Sequence, residues 1–298
     1  MVKVDEWSKG MIDGVKEVGV VGAGTMGAGV AQTFAAAGYP VRLRDVGEAQ
    51  LTRGMSAIKK SLERLVGRGK LKPEDRDATL ARISPTTNFD DLAACDVVVE
   101  AVFERFDIKK AVMEDLDRVC RPDAILATNT SSISVTRIAA TSKIPGRVIG
   151  MHFMNPAPMM ALVEIICGLQ TREETRAKVV ALTGDIGKQA RNCKDSYGFI
   201  VNRVLIPMIN EAINCLHEGL ASREDIDQMM KLGANYPMGP LSLADLIGLD
   251  IALYIIKTFY TDFEDSKYRP SPLLKQMCDA GYLGRKTGKG FFTYEATA

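Results

Sequence analysis

An imidazole and a carboxylate stand at mirrored places in the stretch MHFMNPAPMMALVEII (151–166): His152 and Glu164 lie at equal distances on either side of Pro158. Two β-rich runs flank NPAPMMA, so the simplest arrangement is a strand, a loop and a returning strand that brings the two side chains opposite one another. A carboxylate bonded to one ring nitrogen fixes the tautomer, stabilises the protonated ring and leaves the other nitrogen to carry a proton to or from an alcohol. Taken alone, the pair is equally consistent with a structural histidine satisfied by a buried acid. The other histidine, His217 in the helical NCLHEGL, reads as a packing or surface residue.

A second constellation is VGVVGAGTMGAG, in which Gly22, Gly24 and Gly27 form G-x-G-x-x-G with Thr25 and Met26 between the last two. It follows a strand-like run and opens a helix-like one. Gly22 permits a tight turn, Gly24 lets a pyrophosphate approach the backbone, Gly27 lets helix and strand pack closely, and the helix N-terminus offers its amides to phosphate. Asp45 closes the next strand-like run 23 positions after Gly22. A glycine turn can be purely structural, but this order of strand, turn, helix, strand and acid points to a dinucleotide. Asp45 suits an adenosine ribose and repels a 2′-phosphate, which favours NAD over NADP; the adjacent Arg44 weakens that preference without reversing it. A later glycine-rich stretch, GRKTGKGFF (284–292), fails as a phosphate loop because its spacing is short and Gly290 replaces the required Ser or Thr.

Two further stretches could hold a substrate oxygen. ATNTSSISV places Asn129, Ser131 and Ser132 just after a sheet strand, and GFIVNRVLIP places Asn202 near the start of an apolar helix. Each taken singly is as easily a cap or a turn.

The elements that must position these groups alternate over the first two thirds of the chain. Strand-like runs at 17–22, 41–45, 96–102, 124–130, 147–154 and 162–166 are separated by helical stretches, the pattern of a parallel sheet with helices on its faces. Leu51, Met55, Ile58, Leu62, Leu65 and Val66 mark one face of a helix whose other face carries Arg53, Lys59, Lys60 and Arg64, most simply a solvated surface. After Asp195 the pattern is helical: a stripe runs from Val201 to Leu216 with Pro207 inside it, and Ser222 and Ser271-Pro272 are helix-start signals. The expected architecture is α/β: a Rossmann-like doubly wound sheet over 1–194, with 1–15 as a peripheral or disordered extension, and a helical C-terminal domain over 195–298.

Composition removes several classes. With 38 basic and 37 acidic residues among 298, the chain lacks the positive charge that nucleic-acid binding needs. No apolar run reaches the roughly 20 residues of a membrane span, and the charged N-terminus lacks the apolar centre of a signal peptide. The six cysteines are scattered without metal-ligand spacing and read as reduced thiols of a cytoplasmic protein.

GAGTMGAG, NTSSIS, HFMNPAPMMALVEII, GFIVNRVLIPMINEA and YPMGPLSLADLIGLD together resemble the L-3-hydroxyacyl-CoA dehydrogenases, most of all the bacterial 3-hydroxybutyryl-CoA enzymes, from about residue 16 onward. The resemblance implies that His152 is the catalytic acid/base, that Glu164 orients it, and that Ser131 and Asn202 contact the reacting oxygen. It implies that Gly22, Gly24, Gly27 and Asp45 bind NAD, with Glu104, Lys109 and Asn129 at further cofactor-side positions. It also implies a homodimer formed through the helical domain, with an acyl-CoA thioester lying between the domains. Lys59 or Lys60 then becomes a place for CoA phosphates. The chain ends soon after GFFTYE, so a single activity without a fused hydratase is expected. The alternatives are an NAD-linked dehydrogenase of a free hydroxy acid or sugar acid on the same plan, and a non-catalytic NAD-binding protein.

Overall fold

The structure, a computed structural model, describes residues 11–295; the expectation for residues 1–10 of the extension lies outside them. Backbone contacts divide the chain into two compact units, the first running to Ser196 and the second starting at Tyr197.

The first unit runs β1 (Val18–Val21), α1 (Thr25–Ala36), β2 (Val41–Arg44), α2 (Glu48–Gly67), α3 (Pro73–Ala81), β3 (Ile83–Thr86), β4 (Val97–Glu100), α4 (Phe106–Val119), β5 (Ile125–Thr128), α5 (Val135–Ala139), β6 (Val148–Phe153), β7 (Leu162–Cys167), α6 (Glu173–Asp185) and β8 (Gln189–Lys194). Among the described residues, eight strands form one sheet in the order β3-β2-β1-β4-β5-β6-β7-β8. Pairing is parallel except between β6 and β7.

β1, β4 and β5 are buried at every residue. Helices cover both faces of these central strands, which is why they read as continuous apolar runs. Phe34, Leu51, Ile58, Leu62, Val179 and Leu182 pack α1, α2 and α6 on one face. Met113, Leu116 and Ile138 pack α4 and α5 on the other. On α2 the residues turned inward are Leu51, Gly54, Ile58 and Leu62, and Arg53, Lys59, Lys60 and Arg64 are exposed.

β3 and β8 were not among the runs expected from sequence, and they are the two edges of the sheet. β3 carries Pro85, and none of the six residues of β8 is fully buried. An edge strand is stabilised by one neighbour and tolerates polar residues and proline, so it leaves little apolar periodicity to read. Of the extension, the described part packs at the margin of the first unit. Val15 is 1% exposed, and Ile12 donates its amide to the Tyr39 hydroxyl at 3.1 Å, so residues 11–15 are tied to the core.

The strand order reverses between β1 and β4. Doubly wound sheets bind ligands in the crevice beyond the C-terminal ends of the strands at that point.

The second unit is helical: α7 (Val201–His217), α8 (Arg223–Gly233), α9 (Pro240–Ile247), α10 (Leu249–Asp262) and α11 (Pro272–Asp279). Its core gathers Ile206, Ile209, Ile213, Leu249, Ile256 and Phe259. Ser222 caps α8 by accepting the Asp225 amide, Pro272 opens α11 behind Ser271, and Pro207 lies inside α7. No helix among the described residues is long and apolar enough to cross a membrane.

Candidate active site

The antiparallel register of β6 and β7 sets His152 opposite Glu164, so both project from one face of the sheet. His152 Nδ1 lies 2.7 Å from Glu164 Oε2, and the two side chains are 8% and 3% exposed. An ionised carboxylate can only accept a hydrogen bond. Nδ1 therefore carries the proton of the neutral ring, and Nε2 is the atom able to exchange one. Asn129, just beyond β5, accepts the Phe153 amide on Oδ1 at 2.8 Å and ties the end of β5 to the residue beside His152.

Glu104 organises the loop after β5. Its Oε1 accepts the amides of Ser131 and Ser132 at 2.8 and 2.9 Å, and the hydroxyls of Thr130 and Ser132 at 2.5 and 3.0 Å. The Ser131 hydroxyl stands 3.4 Å from the same oxygen, beyond the usual range for an O–H···O bond. Glu104 thus fixes the Ser131 backbone and leaves the hydroxyl able to meet a ligand.

Behind Glu104 lies Lys109, its side chain 1% exposed, with Nζ 3.2 Å from Glu104 Oε2 and 2.8 Å from Glu100 Oε1. Glu100 ends β4 and also accepts the Val102 amide and the Thr128 hydroxyl, both at 2.8 Å. Burial by itself would raise the Glu104 carboxyl. The Lys109 ammonium and the Thr130, Ser131 and Ser132 donors overcome it and bring the group down to about 2. Burial likewise works against the Lys109 charge, and the two carboxylates outweigh it and hold that ammonium above its ordinary range. Any part Lys109 has in cofactor binding therefore runs through Glu104.

At the end of β1, Gly22 has φ +104°, and a Cβ there would meet Ala101 O at 2.6 Å, so only glycine fits the turn. A Cβ on Gly27 would lie 1.7 Å from Gly22 O, which is the close helix–strand contact read from the sequence. Gly24 differs: it is exposed, its φ is −68°, and a Cβ there would have nothing within 4 Å. The chain itself gives no reason for glycine at this position, whereas a phosphate seated on the N-terminus of α1 would. Thr25 and Met26 form the first turn of that helix. Asp45 accepts the Ala23 amide on Oδ2 and the Val46 amide on Oδ1, each at 2.6 Å. Its remaining lone pairs suit ribose hydroxyls. Arg44 is engaged elsewhere, its guanidinium carbon 3.7 Å from the centre of the Phe89 ring. These residues fit NAD.

Glu104, Lys109, Asn129, Ser131, His152 and Glu164 are thus linked through the ends of β4, β5, β6 and β7. Asn202 stands in the first turn of α7, in the second unit. Lys59 and Lys60 lie on the exposed side of α2, and no described contact joins them to the His152 cluster. Sequence reasoning passed over Glu100, Thr130 and Asp195. The last of these accepts the Ser134 hydroxyl and the Val135 and Thr136 amides at 2.7–3.0 Å, holding the start of α5. The acid ending VVVE was the one available signal, since a charge that closes a wholly apolar strand needs a partner.

The sequence model for the family described as 3-hydroxyacyl-CoA dehydrogenase, NAD binding domain, matches residues 17–196, and that for the C-terminal domain of the same family matches 198–294. A 3-hydroxybutyryl-CoA dehydrogenase of Clostridioides difficile is 48% identical over 93% of this chain and 99% of its own length. Another, of Bradyrhizobium diazoefficiens, is 48% identical over 94% of this chain and 96% of its own. The crystal structure of (S)-3-hydroxybutyryl-CoA dehydrogenase from Ralstonia eutropha superposes with a TM-score of 0.91 at 50% identity, covering 94% of this chain and 99% of that one.

Proposed function

The chain belongs to the 3-hydroxyacyl-CoA dehydrogenase family, and on that premise we propose that it interconverts (S)-3-hydroxyacyl-CoA and 3-oxoacyl-CoA thioesters with NAD, 3-hydroxybutyryl-CoA being the favoured substrate. The observation that carries this reading is the buried 2.7 Å contact between His152 and Glu164. With Nδ1 given to Glu164, His152 takes the 3-hydroxyl proton on Nε2 during oxidation and returns it during reduction. Bound NAD supplies the acceptor for the hydride that leaves C3. Glu164 holds the ring and stabilises the imidazolium as it forms. The Ser131 hydroxyl bonds the reacting oxygen and offsets its developing charge. Asn202 enters the proposal through the family resemblance, as a second group for that oxygen. Glu104, held by Lys109, and Asn129 keep the surrounding loop in place, and Lys59 and Lys60 are proposed contacts for CoA phosphates.

A homodimer formed through the second unit accords with its exposed apolar side chains, among them Val204, Leu220, Met229, Leu232, Leu246 and Ile251. The six free thiols accord with a reducing cytoplasm. A place in fatty-acid metabolism accords with the substrate class. The substrate assignment is tested by comparing acetoacetyl-CoA with free acetoacetate, and NADH with NADPH. Turnover confined to the thioester and NADH is expected, and preference for the free acid would move the assignment to a hydroxy-acid dehydrogenase.

A further inference from the structure

Lys188, between α6 and β8, is 9% exposed. Its ammonium donates to the carbonyl oxygens of Pro158 at 3.0 Å and Met160 at 2.9 Å. Those carbonyls belong to the connection between the strands of His152 and Glu164. The same connection rests on α1 from another side, where a Cβ on Gly29 would come within 3.2 Å of Ala157 Cβ and 3.3 Å of Pro158 Cδ. α1 is the helix whose N-terminus is shaped for the dinucleotide.

Among the described residues, no carboxylate forms an ion pair with this ammonium. Three charged groups of the neighbouring elements are engaged elsewhere: Asp185 of α6 accepts the Tyr39 hydroxyl, Glu164 of β7 holds His152, and Arg191 of β8 bonds Gln189 and the Ala190 carbonyl. Burial pushes the ammonium down to about 8. A lysine whose proton is held more weakly in the folded chain than in the unfolded one opposes folding at pH values below the folded pKa. That cost is relieved only as pH rises past about 8 toward its ordinary value near 10.5. The charge is thus held at a cost, and its two hydrogen bonds go to the connection that carries the His152–Glu164 pair.

We propose that Lys188 is a positioning residue for the His152–Glu164 pair, its ammonium clamping the connection between their strands against α1. The proposal rests on the assignment of His152 as acid/base, so its readouts include one that does not depend on turnover. A misplacement of about 1 Å in a reacting group can lower a rate by about 100-fold. Neutralising or truncating Lys188 is thus felt at the imidazole before it is felt in the core.

The chain has two histidines, so selective ¹⁵N-imidazole labelling gives ring signals for His152 and His217 that a His217→Gln variant assigns. Lys188→Arg, which keeps the charge at this place, is expected to leave the His152 ring signals close to those of the wild type. Lys188→Met is expected to shift the His152 signals at neutral pH and to lower kcat at least tenfold, with KM for NADH changed less than threefold; Lys188→Arg is expected to restore most of the rate. Should Lys188→Met fail to fold, Lys188→Gln is read in its place, and a folded Lys188→Gln with His152 signals and kcat unchanged from wild type would overturn the proposal. So would a folded Lys188→Met with unshifted signals. Shifted signals in a protein without turnover would leave the clamp standing and sink only the acid/base assignment.

Discussion

Lys109 Nζ meets Glu100 Oε1 at 2.8 Å with the side chains 1% and 0% exposed, so an ion pair withdrawn from water lies beneath the loop that presents Ser131. Removing one member of a buried pair strands the other, at a cost of about 3–5 kcal/mol. Lys109→Met is expected to lose stability in that range by chemical denaturation, and the double variant with Glu100→Gln is expected to recover part of it. A loss below about 1 kcal/mol for Lys109→Met would show that the pair is not the anchor described.

Glu104 carries a pH dependence of definite sign. Its carboxyl is brought down to about 2 from an ordinary value of 4.5. The stability it contributes is therefore complete above pH 4.5 and is lost as pH falls through 2. Glu104→Gln is expected to be less stable than wild type at pH 6, with the gap narrowing steadily between pH 4.5 and 2 in thermal melts. A gap independent of pH would assign the effect to packing.

The glycines of the turn separate fold from ligand. Gly27→Ala sets a methyl 1.7 Å from Gly22 O, whereas Gly24→Ala meets nothing within 4 Å. Gly27→Ala is expected to lower the melting temperature sharply. Gly24→Ala is expected to melt as wild type while binding NADH at least about tenfold more weakly, because a methyl intrudes where phosphate must approach the helix N-terminus. Unchanged NADH affinity in Gly24→Ala would count against the cofactor position.

Glu164→Gln keeps the size of the orienting group and removes its charge. It is expected to lower kcat by about 100-fold or more, within the range for general acid/base catalysis, with NADH affinity measured by fluorescence titration unchanged. Parallel losses in both would point to a general collapse of the strands around β7.

The mirrored spacing about Pro158 was enough to pair His152 with Glu164, since a tight return between two strands fixes register by residue count. The nucleotide turn was legible in part for a similar reason: Gly27 answers a contact with Gly22 five residues earlier, and the positive φ of Gly22 is a local property of the turn. Groups joined across long stretches of sequence were not legible. Lys188 reaches Pro158, Glu104 reaches Ser131, and Asp195 reaches Ser134, at separations of 30, 27 and 61 residues. Such bonds depend on which strand ends the topology brings together. The edge strands β3 and β8 escaped because their burial, and with it their apolar pattern, is slight.

The central claim is that the His152–Glu164 pair moves the proton while NADH reduces a 3-oxoacyl-CoA. The most direct measurement is single-turnover oxidation of NADH by acetoacetyl-CoA, with wild type and His152→Ala shown to bind NADH equally. Rapid oxidation by the wild type and a loss of at least about 100-fold in the variant are the expected results. Equal rates in the two proteins, or no oxidation by a wild type that binds NADH, would contradict the account.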